Sequence, residues 1–199
     1  MSTIVIATKN AGKALEYRKM LAPHHIEVKT LADFADHFNI NENGKSFEEN
    51  ATIKAQTVMN QLHLPVMADD SGLVVDALDG RPGIHSARYA GDHDDDANNR
   101  KLLAELKNVP MEQRTAHFHT TIVAVQPNGP KLVANGRVDG HILKAPQGEN
   151  GFGYDPLFYV DEINKGMAEL TADEKNAISH RGRAMREFMN KFPDWWQEQ

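Results

Sequence analysis

Strands and helices alternate through the first half of this 199-residue chain, and then a long hairpin breaks the alternation. Ile4-Val5-Ile6-Ala7 is a short apolar run rich in β-branched residues and reads as a buried strand. The polar segment Thr8–Lys13 reads as a loop. Ala14, Tyr17 and Leu21 then recur at helical spacing, and Pro23 ends that helix. Ser46-Phe47-Glu48-Glu49 reads as a capping box, opening a helix that places Ala51, Ala55, Val58, Met59 and Leu62 on one face. A strand at Val66–Ala68 runs into Asp69-Asp70-Ser71-Gly72, read as a turn before a second short strand, Leu73–Leu78. Asp94–Leu106 reads as another helix. Ala116–Val125 and Lys131–Ile142 are two long strands, and Pro127-Asn128-Gly129-Pro130 is the hairpin signal between them. A Gly-rich loop (Lys144–Asp155), a strand (Leu157–Val160), a capping box at Thr171–Glu174 and a final helix from near Arg181 to Asn190 complete the chain. Alternation followed by a hairpin specifies an α/β fold with a mixed β-sheet. The length suits one domain, 1–199, in two lobes.

Cysteine is absent, which excludes disulfides, thiolate metal sites and cysteine nucleophiles. The net charge of −6 and the lack of a basic stripe argue against nucleic acid as a partner. No window approaches the roughly 20 apolar residues of a membrane span, and Ile4–Ala7 is too short for a signal segment. The expectation is a cytoplasmic protein with no membrane partner. A small anionic ligand is compatible with this balance if positive charge is concentrated locally.

Four segments carry chemistry. Thr8-Lys9-Asn10-Ala11-Gly12-Lys13 joins a strand to a helix. It lacks the glycines and trailing hydroxyl of a P-loop, but offers a hydroxyl, an amide, two ammonium groups and a helix N-terminus, which suit phosphate. The plainer reading is a helix capped by Asn10 with solvated lysines. Asp69 and Asp70 sit where a strand ends. Side chains alternate along a strand, so one of the two faces a given site, as a metal ligand or a water-activating base. The sequence leaves open which one, and a backbone-capping turn remains the other reading. In Glu149–Phe158, Gly151 and Gly153 bracket Phe152, an arrangement that lets a ring meet a planar ligand. The alternative is an ordinary turn with Phe152 in the core. Ser179-His180-Arg181-Gly182 puts two cationic residues at a helix start, where the dipole disfavours them, which favours an acceptor-rich ligand over a solvated surface. The acids Asp92 and Asp94–Asp96 read as a solvated helix start, and His117 with His119 as strand histidines rather than a metal site.

Taken in order, TKNAGK, SFEENATIKA, ADDSGLVVDAL, PGIHSARYAG, NGFGYDPLF and KNAISHRGRA resemble the inosine triphosphate pyrophosphatase (Ham1-like) family, from Ile4 to about Phe188. The resemblance implies an elongated, two-lobed α/β molecule with a central cleft, a homodimer and a Mg²⁺ requirement. It implies hydrolysis of non-standard purine triphosphates (ITP, dITP, XTP) to the monophosphate and pyrophosphate. By motif position, Thr8, Lys9, Asn10, Ala11, Gly12 and Lys13 resemble the triphosphate loop, and Lys54 a phosphate-contacting lysine. Asp70 resembles the catalytic, metal-binding acid, Glu42 the second metal position and Ser71 a substrate contact. Phe152, Gly153, Tyr154 and Asp155 resemble the base-stacking loop, and Lys175, His180 and Arg181 the base and nucleotide contacts. A non-catalytic purine-nucleotide sensor on the same fold is the alternative, and the pairing of Glu42 with Asp70 speaks against it.

Overall fold

A computed structural model describes residues 3–24, 26–35 and 37–197. Its frame is one seven-stranded sheet in the order β2-β1-β3-β4-β5-β6-β7. The strands are β1 (Thr3–Ile6), β2 (Glu27–Thr30), β3 (Val66–Val75), β4 (Thr115–Val125), β5 (Leu132–Ile142), β6 (Phe158–Val160) and β7 (Lys165–Gly166). β1 runs parallel to β2 and β3, whereas β5–β6 and β6–β7 are antiparallel. The sheet is therefore mixed, as the alternation and hairpin predict. Among the described residues, five α-helices accompany it: α1 (Ala11–Leu21), α2 (Phe47–Leu62), α3 (Asp95–Glu105), α4 (Ala172–Ile178) and α5 (His180–Gln197).

The chain divides into two compact units. Unit 1 comprises Met1–Asp70, Thr120–Asn135 and Ala184–Gln199, and unit 2 comprises Ser71–His119 and Gly136–Arg183. In unit 1 the period-2 alternation of β1 and β3 sorts side chains to two layers. Ile4, Ile6 and Met67 pack with Tyr17 and Leu21 of α1 and with Phe188 and Phe192 of α5. Val5, Ala7, Val66 and Ala68 pack instead with Ala51, Ala55 and Val58 of α2. Unit 2 has its own core, built on Leu73, Leu102, Leu106, Phe118, Leu157 and Phe158.

Four expectations are corrected. Asp69-Asp70-Ser71-Gly72 is no turn, because β3 runs unbroken through it for 10 residues. Asp69, Asp70 and Leu73 are buried and Ser71 is half-buried, so the strand interior continues where a surface turn was expected. Ala11–Lys13 are the first helical turn rather than loop, because the Asn10 side chain accepts the Lys13 N–H and starts α1 early. The box at Ser46 is one-sided. Ser46 Oγ accepts the Glu49 N–H, but Glu49 turns to the backbone N–H of Lys45. Finally, α5 continues past Asn190 and through Pro193, because Phe192 and Trp195 are buried and Trp195 donates to the Pro130 carbonyl.

Candidate active site

β3 places Asp69 and Asp70 side by side, and alternation separates their partners. Asp69 follows Met67 toward α1 and accepts a 2.7 Å bond from Lys13 Nζ. Asp70 follows Ala68 toward α2, where Asn50 Nδ2 donates to its Oδ2 at 3.1 Å. Asn50 is itself buried, and its Oδ1 accepts the Gly44 N–H. Lys54, one helical turn along α2, donates to the Asp69 carbonyl at 3.0 Å and pairs with Glu42 at 3.0 Å. Glu42, Lys54, Asn50, Asp69, Asp70 and Lys13 thus form one polar cluster within unit 1.

Asp70 is a carboxylate of this cluster whose protonation is strongly perturbed. Burial pushes its pKa to about 6, although Lys54, Lys13 and the Asn50 hydrogen bond pull it down. A carboxylate in that range is mostly ionised at neutral pH, yet it accepts a proton more readily than an ordinary one. Asp69 is instead engaged by Lys13, which separates two acids that the sequence left equivalent. The donor set offered to a cation is hard oxygen. Mg²⁺ characteristically takes one or two protein carboxylates and completes its shell with water and phosphate oxygens. Asp70 and Glu42 are the carboxylates of this cluster not paired with Lys13, and Glu42 is itself paired with Lys54. No group of three or more His, Asp or Glu side chains with metal-holding geometry occurs among the described residues.

The Thr8–Lys13 segment is tied locally. Thr8 Oγ1 accepts the Asn10 N–H, and Asn10 caps α1. The Asn10 cap of the plainer reading is present, but Lys13 is paired with Asp69 rather than solvated. Thr8, Lys9, Asn10 and Ala11 also border a cavity of about 650 Å³, closed by α1 and by Leu31, His37 and Phe38. Neither Asp69 nor Asp70 lines it.

A second cluster lies in unit 2. Phe152 is half-buried, with Lys175 Nζ 4.6 Å and Arg181 Cζ 4.9 Å from its ring centroid. Cations at that distance are attracted to the π face. Asp155 is buried and accepts both Lys175 Nζ at 2.7 Å and the Phe152 N–H at 3.0 Å. Tyr154 is a core residue whose hydroxyl donates to the Ser86 carbonyl, and burial raises its pKa. His180 stacks on Phe118 with centroids 4.7 Å apart and planes 12° off parallel. His180 and Arg181 are 2% and 5% exposed, so a solvated basic helix start is excluded. The α4–α5 junction requires Gly182, since a Cβ there would lie 1.8 Å from the Asn176 carbonyl oxygen. Ser71, the first residue of unit 2, continues β3 directly after Asp70.

Sequence reasoning gave no role to Asn50, Phe118, Asp95 or Asn99. Asn50 was detectable as a polar residue beside the apolar stripe of α2, where burial demands a partner. Phe118 carried no local signal. Asp92 and Asp94–Asp96 are exposed at the start of α3, as expected, and the Asp95 carboxylate in addition accepts the Gly153 N–H.

Fold and clusters together describe an α/β protein with an acid–lysine cluster in unit 1 and an aromatic–cation cluster in unit 2. The pattern of the Ham1 family matches residues 4–191, and the chain belongs to that family. A dITP/XTP pyrophosphatase of Lactiplantibacillus plantarum is 60% identical over 194 residues, spanning 98% of this chain and 96% of its own. One from Geobacillus kaustophilus is 53% identical over 199 residues, 100% of this chain and 96% of its own. The solved Ham1 protein of Staphylococcus aureus superposes with a TM-score of 0.86 at 41% identity, covering 97% of this chain and 98% of its own. No helix among the described residues is long and apolar enough to cross a membrane.

Proposed function

We propose that this protein hydrolyses non-standard purine nucleoside triphosphates, ITP, dITP and XTP, to the monophosphate and pyrophosphate. The observation that carries the reading is Asp70: a buried carboxylate with its pKa near 6, flanked by Lys13 and Lys54, in a chain 60% identical to a dITP/XTP pyrophosphatase.

Water must approach a polyanion for the α–β phosphoanhydride bond to break. Lys13, Lys54 and the first-turn N–H groups of α1 offset that charge, with Thr8, Lys9, Asn10, Ala11 and Gly12 shaping the approach. Asp70 holds the attacking water and takes its proton. Mg²⁺ is the proposed cation, with Glu42 and Asp70 as its protein ligands; when bound it supplies positive charge at the phosphate oxygens. Binding phosphate requires Lys13 and Lys54 to exchange part of their bonding to Asp69 and Glu42 for substrate oxygens, a trade of one anion for another.

Phe152 stacks the purine, and Gly153, Tyr154 and Asp155 hold that loop. His180, Arg181 and Lys175 donate to the base, and Ser71 contacts the substrate. Hypoxanthine and xanthine present an oxo acceptor at position 6, where adenine presents an amino donor. A wall of donors pairs with the first and is left unpaired by the second, which in favourable sites discriminates by about 10⁴. We further propose a cytoplasmic homodimer with no nucleic-acid or membrane partner.

The test is pyrophosphate release from ITP, XTP, dITP, ATP and GTP, with Mg²⁺ and with EDTA. Metal-dependent release from the first three and little from ATP or GTP is expected. Orthophosphate release would place the cut elsewhere on the chain, and no turnover would favour a nucleotide sensor.

A further inference from the structure

α3 is anchored in unit 2 by Leu102, which is fully buried, and by Asn98. The Asn98 side chain accepts the Ala90 and Gly91 N–H groups and donates to the Ala87 carbonyl. From this fixed base, Asp95 and Asn99 project one helical turn apart, at i and i+4, and so share a face. Both reach the same residue. Asp95 Oδ2 accepts the Gly153 N–H at 2.7 Å, and Asn99 Nδ2 donates to the Gly153 carbonyl at 2.9 Å. The first bond holds the peptide between Phe152 and Gly153, and the second holds the peptide after it. Asp155 holds the N–H of Phe152 itself. The backbone is thereby tied on both sides of the Phe152 Cα, and the direction of its side chain is set. Gly153 has φ +62°, a left-handed conformation that a glycine adopts freely and that external bonds must select.

We infer that Asp95 and Asn99 are positioning residues that orient Phe152 for purine recognition, acting through the Gly153 peptides. The inference rests on the reading that Phe152 stacks the base. Neither residue has to touch substrate. Releasing the clamp leaves the ring present but poorly oriented, so the loss falls on base binding and not on the phosphate chemistry of unit 1. A loop pinned at both peptides pays its ordering cost during folding rather than at binding.

The experiment compares wild type, Asp95→Ala/Asn99→Ala, Asp95→Asn, Phe152→Ala and the triple variant, using KM and kcat for ITP and competitive inhibition by pyrophosphate. The double variant is expected to raise KM for ITP about tenfold, the worth of two lost hydrogen bonds. Its kcat and pyrophosphate inhibition should change less than about twofold. Asp95→Asn retains an acceptor oxygen and should keep KM near the wild-type value. In the Phe152→Ala background the clamp substitutions should add nothing, because residues acting through one side chain are not additive. Equal KM effects with and without Phe152, or a parallel loss of pyrophosphate inhibition, would overturn the positioning role while leaving the stacking reading intact. An unchanged KM in Phe152→Ala would overturn both, and marks the failure of the stacking reading itself. Thermal midpoints measured on each variant identify any that are unfolded, and for those Asn99→Ser replaces Asn99→Ala with the same expectations.

Discussion

Asp70 and Asp155 are both buried carboxylates with lysines close by, yet their surroundings differ. Asp155, in unit 2, accepts a 2.7 Å bond from Lys175 Nζ and a backbone N–H, so its charge is fully answered. Asp70, in unit 1, is bonded to the neutral amide of Asn50, while Lys13 and Lys54 direct bonds to Asp69 and Glu42. The two lysines lower its pKa, but burial outweighs them. A fully paired buried acid fixes geometry. An incompletely paired one remains available for a proton or a cation, and its burial is a standing cost to stability.

The largest effect expected from breaking this contrast is in catalysis. Asp70→Asn removes the proposed base and is predicted to lower kcat for ITP by about 10³-fold or more, measured as pyrophosphate release. The same substitution has the opposite effect on the fold. The pKa of Asp70 rises from 3.8 to about 6 on folding, so the folded protein binds the extra proton. The contribution of this group to stability is complete below about pH 4 and is lost as pH rises through about 6. Metal-free wild type should therefore lose stability across that window relative to Asp70→Asn, by an amount on the order of 3 kcal/mol. Urea melts at pH 4.5 and 7.5 read the part of that change lying between them, about 2 kcal/mol, and parallel curves for the two proteins would refute it.

Breaking the paired acid of unit 2 acts on stability as well as on base binding. Lys175→Ala leaves Asp155 buried without its cation and should cost about 3 kcal/mol of unfolding free energy, read by denaturant melt. Arg181→Ala should reduce kcat/KM for ITP about a hundredfold while leaving pyrophosphate inhibition unchanged. Equal losses in both would assign Arg181 to phosphate. The smallest effects sharpen the comparison at helix starts. Thr171 forms a reciprocal box with Glu174, whereas Ser46 makes only the forward bond to Glu49. Thr171→Ala should cost about 1 kcal/mol, and Ser46→Ala somewhat less.

The two clusters differ also in how far the sequence revealed them. Lys54 stands in a helix that is legible from periodicity, whereas Asp70 falls in a stretch that reads as a turn, and only the order of six motifs identified its family-like position. The choice between Asp69 and Asp70 was not legible, because it depends on which layer each faces. Lys13 and Asp69 are 56 positions apart, and nothing local joins them. In unit 2, Phe152, His180 and Arg181 were singled out for their types and their unusual helix-start placement. Their burial, and the stacking of His180 on Phe118, came only with the fold. Asp95 shows the limit most clearly. An acid in a first helical turn satisfies the helix dipole by itself, so the sequence supplied no reason to seek a second partner.

What the sequence by itself determined was local or cumulative: the α/β alternation, the β4–β5 hairpin, the caps at Asn10 and Thr171, and the family. Each is expressed within about ten residues, or in the order of short motifs, and so survives without knowledge of packing. The tertiary structure alone decided that β3 runs on through Ser71 and Gly72 and that Asp69 and Asp70 face different helices. It also decided that α3 grips the Gly153 peptides and that α5 extends to Trp195. These outcomes depend on strand order and burial, which bring distant residues together. Whether a carboxylate is solvated, paired or left reactive is set by the neighbours that folding supplies.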